Sequence, residues 1–271
     1  ELLLENKKGT VDNTELEDRL EQIASHDVRT DYLQYVYRKL RYQQYNLSMD
    51  LAGDRNATCI SLGYDNDNYS LKTNGYKRIT ANLTNRLQLL PRLSMNSKIT
   101  FSNEKEVSVG SFGTYGYDIS FLNNKKIYPY AMLIKNDGSP ANIDRNYRGE
   151  YLDQWNGNGL LDWNYSVLKD MASSLAERQN RSLLMFINPI FDIGNGFQLQ
   201  VNYQFQSNNI GNRTLYKDDS YYTRNLVNLY SQLGGGKLVR NIPIGGILDK
   251  TVEQLTAQAF RGQLNFNRYI S

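Results

Sequence analysis

Few residues in this chain are able to do acid-base, nucleophilic or metal chemistry. There is one histidine, His26, and one cysteine, Cys59. A structural zinc site needs several thiolate or imidazole ligands, and nucleophilic catalysis of the Ser-His-Asp kind needs a histidine held between two partners. His26 lies just past a helical pattern, where a cation meets the helix dipole favourably, and it has no partner histidine. Cys59 falls in an alternating stretch, where a lone thiol is expected to be a small buried filler. Asp65-Asn66-Asp67-Asn68 offers oxygen ligands at calcium-loop spacing but lacks the glycine and the bidentate glutamate, so it reads as a solvated loop tip. Gly234-Gly235-Gly236-Lys237 lacks the spacing and the hydroxyl residue of a phosphate-binding loop and reads as a flexible connection. No catalytic residue, no metal site and no cofactor is expected.

The elements that carry these residues are mainly strands. Over residues 14–24, Thr14 and Glu17 have capping-box spacing and Leu16, Leu20 and Ile23 share a helical face, which predicts a short amphipathic helix. In residues 31–40, Tyr32, Tyr35 and Val36 share a helical face, yet the stretch would also serve as an edge strand. From Gln44 the period becomes two. Tyr45, Leu47, Met49 and Leu51 alternate with polar residues, the turn at 53–56 follows, and Thr58, Ile60, Leu62 and Tyr64 continue the pattern. A second hairpin joins Ile79–Leu89 alternation to that of Leu93, Met95, Ile99 and Phe101. Residues 182–191 are apolar on both faces, and Phe197, Leu199, Val201, Tyr203 and Phe205 alternate with Gln and Asn. Phe260, Leu264 and Phe266 make a seventh strand.

The polar strand faces are mostly neutral amides and hydroxyls, which suit a hydrated lumen better than a packed sandwich core. The composition agrees: 21 Tyr suit a boundary between hydrocarbon and water, and 31 Asn suit turns and wet surfaces. A mean hydropathy of -0.61 does not exclude a membrane, because a barrel strand alternates lipid-facing and lumen-facing residues. No apolar run is long enough for a membrane helix, and a net charge of +3 argues against a dedicated nucleic-acid binder. Short turns at 53–56, 91–92 and 194–196 are interleaved with a connection near 65–75 and very long ones at 103–181 and 207–256. Outer-membrane barrels have this asymmetry, with short periplasmic turns and long extracellular loops. By parity the strand beginning near Gln44 runs toward a periplasmic turn, so an upward strand should precede it, which favours a strand over residues 31–40. Glu1-Leu2-Leu3-Leu4-Glu5 lacks the features of a signal peptide and the last residues fall in or just after a strand, so both ends are expected to be cuts within a longer protein.

Six stretches carry a family resemblance. They are Gln43-Gln44-Tyr45-Asn46-Leu47-Ser48 with Ser61-Leu62-Gly63-Tyr64, Gly159-Leu160-Leu161-Asp162-Trp163-Asn164-Tyr165, the segment 220–228 beginning Ser220-Tyr221-Tyr222, the segment 242–249 beginning Ile242-Pro243-Ile244-Gly245-Gly246, and the segment 260–268 beginning Phe260-Arg261-Gly262. In this order the chain resembles SusC/RagA-type TonB-dependent transporters of the outer membrane. The resemblance implies a barrel of about 22 strands, plugged by an N-terminal domain and lidded by a SusD-like surface lipoprotein, that imports oligosaccharides or peptides with energy relayed by TonB. The expected fold is therefore all-β: an antiparallel transmembrane barrel segment of about seven or eight strands, with long extracellular loops and a short N-terminal helix. Residues 1–42 are expected to connect plug to barrel, and residues 43–271 to form the N-terminal part of the barrel. The plug and the TonB contact would lie outside this chain. The implied partners are the lipoprotein, the TonB complex, the cargo and outer-membrane lipids, with no nucleic acid. Localisation would be the Gram-negative outer membrane, and no enzyme activity is implied.

The connection 103–181 carries Tyr115, Tyr117, Tyr128, Tyr130, Trp155, Trp163 and Tyr165. Flat aromatic faces suit sugar rings or peptide side chains, and Tyr128, Tyr130, Trp155, Trp163 and Tyr165 are the candidate substrate- or lid-binding residues. The other reading is that they pack the connection's own small core, to which Trp163 belongs in particular, whereas Trp155 between Asn and Gly residues is the better contact. A soluble β-rich glycan-binding module and an adhesin or structural barrel without transport are the alternative functions.

Overall fold

The computed structural model describes residues 2–109, 127–147, 149–155, 158–234 and 237–267. The chain opens with helices α1 (Leu2–Lys7), α2 (Asn13–Ser25) and α3 (Val28–Asp31), the last continued by a π-helical turn Tyr32–Val36. Strands β1 (Arg41–Gly53), β2 (Asn56–Asn68), β3 (Gly75–Leu90) and β4 (Leu93–Val109) follow. Helices α4 (Gly149–Trp155) and α5 (Val167–Ser173) lie in the first long connection, before β5 (Ser174–Gly194) and β6 (Phe197–Tyr216). The second connection holds α6 (Tyr221–Leu229) and a small hairpin of β7 (Ser231–Gly234) and β8 (Lys237–Arg240), and β9 (Ile247–Phe266) closes the described chain.

One antiparallel sheet takes the strands in the order β1-β2-β3-β4-β5-β6-β9. Its two faces differ as the alternation predicts. One lateral row runs Met49, Ile60, Leu83, Ile99, Met185, Phe205, each paired with the next. A neighbouring row on the opposite face runs Asn46, Gly63, Thr80, Ser102, Ser182, Asn208. The apolar face is uncovered: Leu47, Leu62, Ile79, Phe101, Leu199, Phe260 and Leu264 are all exposed. Ser102 and Asn188 are the buried side chains of the sheet interior, and both are polar. A soluble β-sandwich buries its apolar faces together, whereas here the apolar face is left open.

The hairpin turns descend stepwise across the sheet. The row through the first turn pairs Gly53 with Asn56, Asn56 with Leu87, Leu87 with Met95 and Met95 with Pro189, yet β3 runs on to Leu90 and β5 to Gly194 before turning. The apolar stretch moves with the turns, from Tyr45–Leu51 on β1 to Phe260–Phe266 on β9. Such stagger is the shear that tilts strands against a barrel axis. The β5–β6 turn is built on Gly194, Asn195 and Gly196, with φ of 95°, 54° and 86°. These left-handed values suit Gly and Asn and few other residues.

Some expectations are corrected. Residues 31–40 contain no strand; residues 31–36 form the end of α3 and the π-helical turn, with Tyr32 and Val36 buried in an apolar cluster, and Tyr37 makes an isolated bridge to Leu71. Asp12 rather than Thr14 caps α2, its carboxylate accepting from Glu15 N–H at 2.7 Å. Asp65, Asn66, Asp67 and Asn68 are strand residues of β2, not a loop tip, and because β4 reaches Val109, β5 begins at Ser174, β6 reaches Tyr216 and β9 begins at Ile247, the strands take in part of what reads as long connections. Cys59 is exposed on the polar face, not a buried filler. Among the described residues no helix is long and apolar enough to cross a membrane.

Candidate functional site

The apolar core sits in the connections at one end of the sheet. Val28, Tyr32 and Val36 from the segment before β1 join Ile127, Ala131, Leu133, Ile143, Tyr165, Val167 and Met171 from the first long connection and Tyr221 from the second. We call this end the rim. Asp27 caps α3 by accepting from Arg29 N–H at 2.9 Å, and hydrogen bonds from the Arg29 guanidinium and backbone hold its carboxyl below the usual carboxylate range. Asp31 then reaches across, accepting from Leu133 N–H at 2.8 Å and lying 3.2 Å from His26 Nε2. Val28 N–H donates to the Pro129 carbonyl at 2.8 Å. The leading residues are thereby tied to the first long connection.

The second tie is aromatic and amide. Tyr165, 1% exposed, stands edge-on to Tyr221 at 5.2 Å between centroids, and the Arg145 guanidinium lies 4.7 Å from both rings. Cation–π attraction and burial act together there. Burial, aided by Tyr147 and Asp170 and opposed by Arg145 and Arg224, pushes the Tyr221 phenol up to about 12. Trp163 Nε1 donates to Asn225 at 2.9 Å, and Asn228 accepts from Leu161 N–H at 2.9 Å while donating to the Leu161 carbonyl at 2.8 Å. Arg224 pairs with Asp162 at 3.2 Å and donates to the Asn164 carbonyl at 3.0 Å. Stretches 159–165 and 220–228, both of which carried the family resemblance, are thus one packed unit. The β7–β8 hairpin joins them at Gly159, whose φ of 82° strains any other residue and where an added Cβ would lie 3.3 Å from the Leu238 side chain.

The candidate aromatics therefore separate. Tyr165 is wholly internal, and Trp163 is pinned by Asn225 and packs 4.8 Å from Tyr147. Trp155 is half-buried at the end of α4 beside Tyr151, its indole Nε1 buried with no partner among the described residues. Tyr128 and Tyr130 are exposed, with ring centroids 5.0 Å apart. They line an open concavity of about 600 Å³ with Ile23, Met132, Lys135 and Asn136. Tyr115 and Tyr117 lie outside the described residues. Sequence reasoning assigned no roles to Arg145, Asp170, Asn225 or Asn228. The Ser220 cap, which accepts from Thr223 N–H at 3.3 Å, was the available signal that 220–228 forms a helix able to present those amides.

On the polar sheet face, Asn188 bridges three strands: it accepts from Asn96 at 3.2 Å and donates to Asn202 at 2.7 Å. Asp65 and Arg78 pair at 2.7 Å nearer the rim. No cluster of side chains fit to hold a metal ion occurs among the described residues. The arrangement can solvate a polar solute along the sheet and present flat aromatic surface at its mouth.

No protein-family model matches the chain, and no curated protein does. Solved structures do. The RagAB peptide importer in its closed-closed state matches with a TM-score of 0.62 and 12% identity, over 91% of this chain and 24% of that one. The RagAB peptide transporter matches at 0.59 and 11%, again over 91% and 24%. The importer in its open-open state matches at 0.59 and 11%, over 87% and 23%. The fold is that of an antiparallel β-barrel segment, and the chain spans about a quarter of the length of these neighbours, which are transporters.

Proposed function

We propose that this chain is the wall and rim segment of a SusC/RagA-type TonB-dependent outer-membrane transporter. The observation that carries the reading is the uncovered apolar face backed by a polar one on a staggered meander whose rim is built from the family-like stretches. The likeness to peptide-importer chains supports the same class. The apolar face lies against outer-membrane lipid, the polar face lines the lumen, and the rim is extracellular. Residues 43–271 form wall and rim. Residues 1–42, expected to lead from a plug, contribute Val28, Tyr32 and Val36 to the rim core, and the geometry favours a rim role for them.

In this reading the cargo is a peptide or an oligosaccharide. A SusD-like surface lipoprotein seats on the rim, TonB acts through another part of the protein, and no reaction is catalysed. Tyr128 and Tyr130 are the contact surface for cargo or lid, Trp155 stands beside them in role, and Trp163 and Tyr165 hold the rim in shape. The test is uptake by cells whose complete gene is deleted and restored. Restored growth on peptides or oligosaccharides as sole nutrient, with co-purification of a surface lipoprotein, is the expected result; growth independent of the gene on every such nutrient would sink the reading.

A further inference from the structure

The lipid-side face of the sheet changes character at one level below the rim. On β3 the last apolar residue of that face is Ile79 and the next outward residue is Lys77; on β4 Phe101 gives way to Asn103 and Lys105; on β5 Leu183 gives way to Arg181. Register sets Lys77 directly opposite Lys105, and Arg181 opposite Asn103 beside them. Above the pair of lysines the connection between β2 and β3 forms a concavity of about 380 Å³, whose lining adds Arg38 and Lys72. Arg38 is fixed in place, donating to the Tyr69 carbonyl at 3.0 Å and to that of Asn74. Asp67 is the one acid of the lining, and by its register with Tyr42 and Tyr76 it belongs to the polar face. Lys105 has only a half-exposed partner, Glu177, at 3.6 Å.

Cations immediately above an apolar band sit where a bilayer presents its headgroups, and their aliphatic stems extend the band while their charges meet anions. We propose that this concavity holds the phosphate-bearing headgroup of an anionic membrane lipid. The lipid's acyl chains lie along Ile79 and Phe101, which is why a lipid rather than a free phosphate fits the site. The inference rests on the barrel reading of the sheet.

The test uses the complete protein in detergent micelles doped with phosphatidylglycerol or with phosphatidylcholine, with bound lipid counted by native mass spectrometry. Wild type should retain phosphatidylglycerol selectively, and Lys77→Gln with Lys105→Gln should weaken retention roughly fivefold per lysine and about thirtyfold together. Lys98→Gln, on the polar face, should change nothing. Equal retention of both lipids by wild type, or displacement of phosphatidylglycerol by inorganic phosphate alone, overturns the proposal. Heat-modifiable gel migration reports barrel closure separately: a closed barrel without lipid preference refutes this site only, whereas a protein soluble and compact without detergent refutes the barrel reading itself.

Discussion

Tyr165 and Tyr130 lie in the same connection and have opposite surroundings, 1% and 51% exposed. Tyr165→Ala empties a packed position against Tyr221 and Arg145, and a buried aromatic truncation costs about 3–5 kcal/mol. Hydrogen exchange across residues 127–171 should therefore accelerate while barrel closure persists. Tyr130→Ala, by contrast, should leave that exchange unchanged and weaken cargo or lid binding a few-fold to about tenfold, the scale of one stacked ring. Calorimetric titration of the lipoprotein and of cargo decides it: wild-type affinities for both would make Tyr130 a bystander. Tyr221 adds a pH dependence. Its folded value is raised, so its stabilising contribution is complete below the ordinary tyrosine value near 10 and is lost as pH rises through about 12. Rim unfolding followed by tyrosinate absorbance should show that slope, and Tyr221→Phe should remove it.

At the level of the strand, face assignment has a sharp consequence on β6. Val201 belongs to the apolar face with Leu199 and Tyr203, and Gln200 to the polar one with Gln198 and Asn202. Arg at Val201 should cost roughly 2–4 kcal/mol if that position lies near the bilayer midplane, and Arg at Gln200 much less. Equal losses in reversible folding into lipid would count against the assignment. The strands themselves were legible because alternation is strongest where one face meets hydrocarbon and the other water. Where both faces meet water the contrast vanishes, so the rim ends of β4, β5, β6 and β9 look like loop in the sequence. Asp65 to Asn68 were misplaced for the same reason: nothing in four short polar residues tells a strand end from a turn. The π-helical turn at Tyr32 is illegible in the sequence because its geometry answers to a cluster completed by residues from Ile127 to Tyr221, far along the chain. The rim's aromatics are visible as residue types, but which of them are buried and which exposed depends on contacts such as those of Arg145 and Asn225.

The sheet as a whole is open, with β1 and β9 as unpaired edges among the described residues. Unpaired backbone groups cannot be satisfied in hydrocarbon, so the segment alone should fail to insert into vesicles as a protected species and should do so only within the complete barrel. Protease-resistant insertion of residues 1–271 by themselves would contradict this. The rim cluster has a consequence in time as well. Val28 and Tyr221 belong to one core, yet six strands, β1 to β6, lie between them in the chain. Contacts so distant in sequence carry a loop-closure penalty that falls only after the intervening strands have paired. The rim should thus be the last region to set, and during refolding a pulse of protease should still cut within 127–171 after the wall has become heat-modifiable. Simultaneous protection of wall and mouth would mean that the mouth nucleates with the wall; sequential protection would make every newly made barrel pass through a stage with a finished channel and an unfinished entrance.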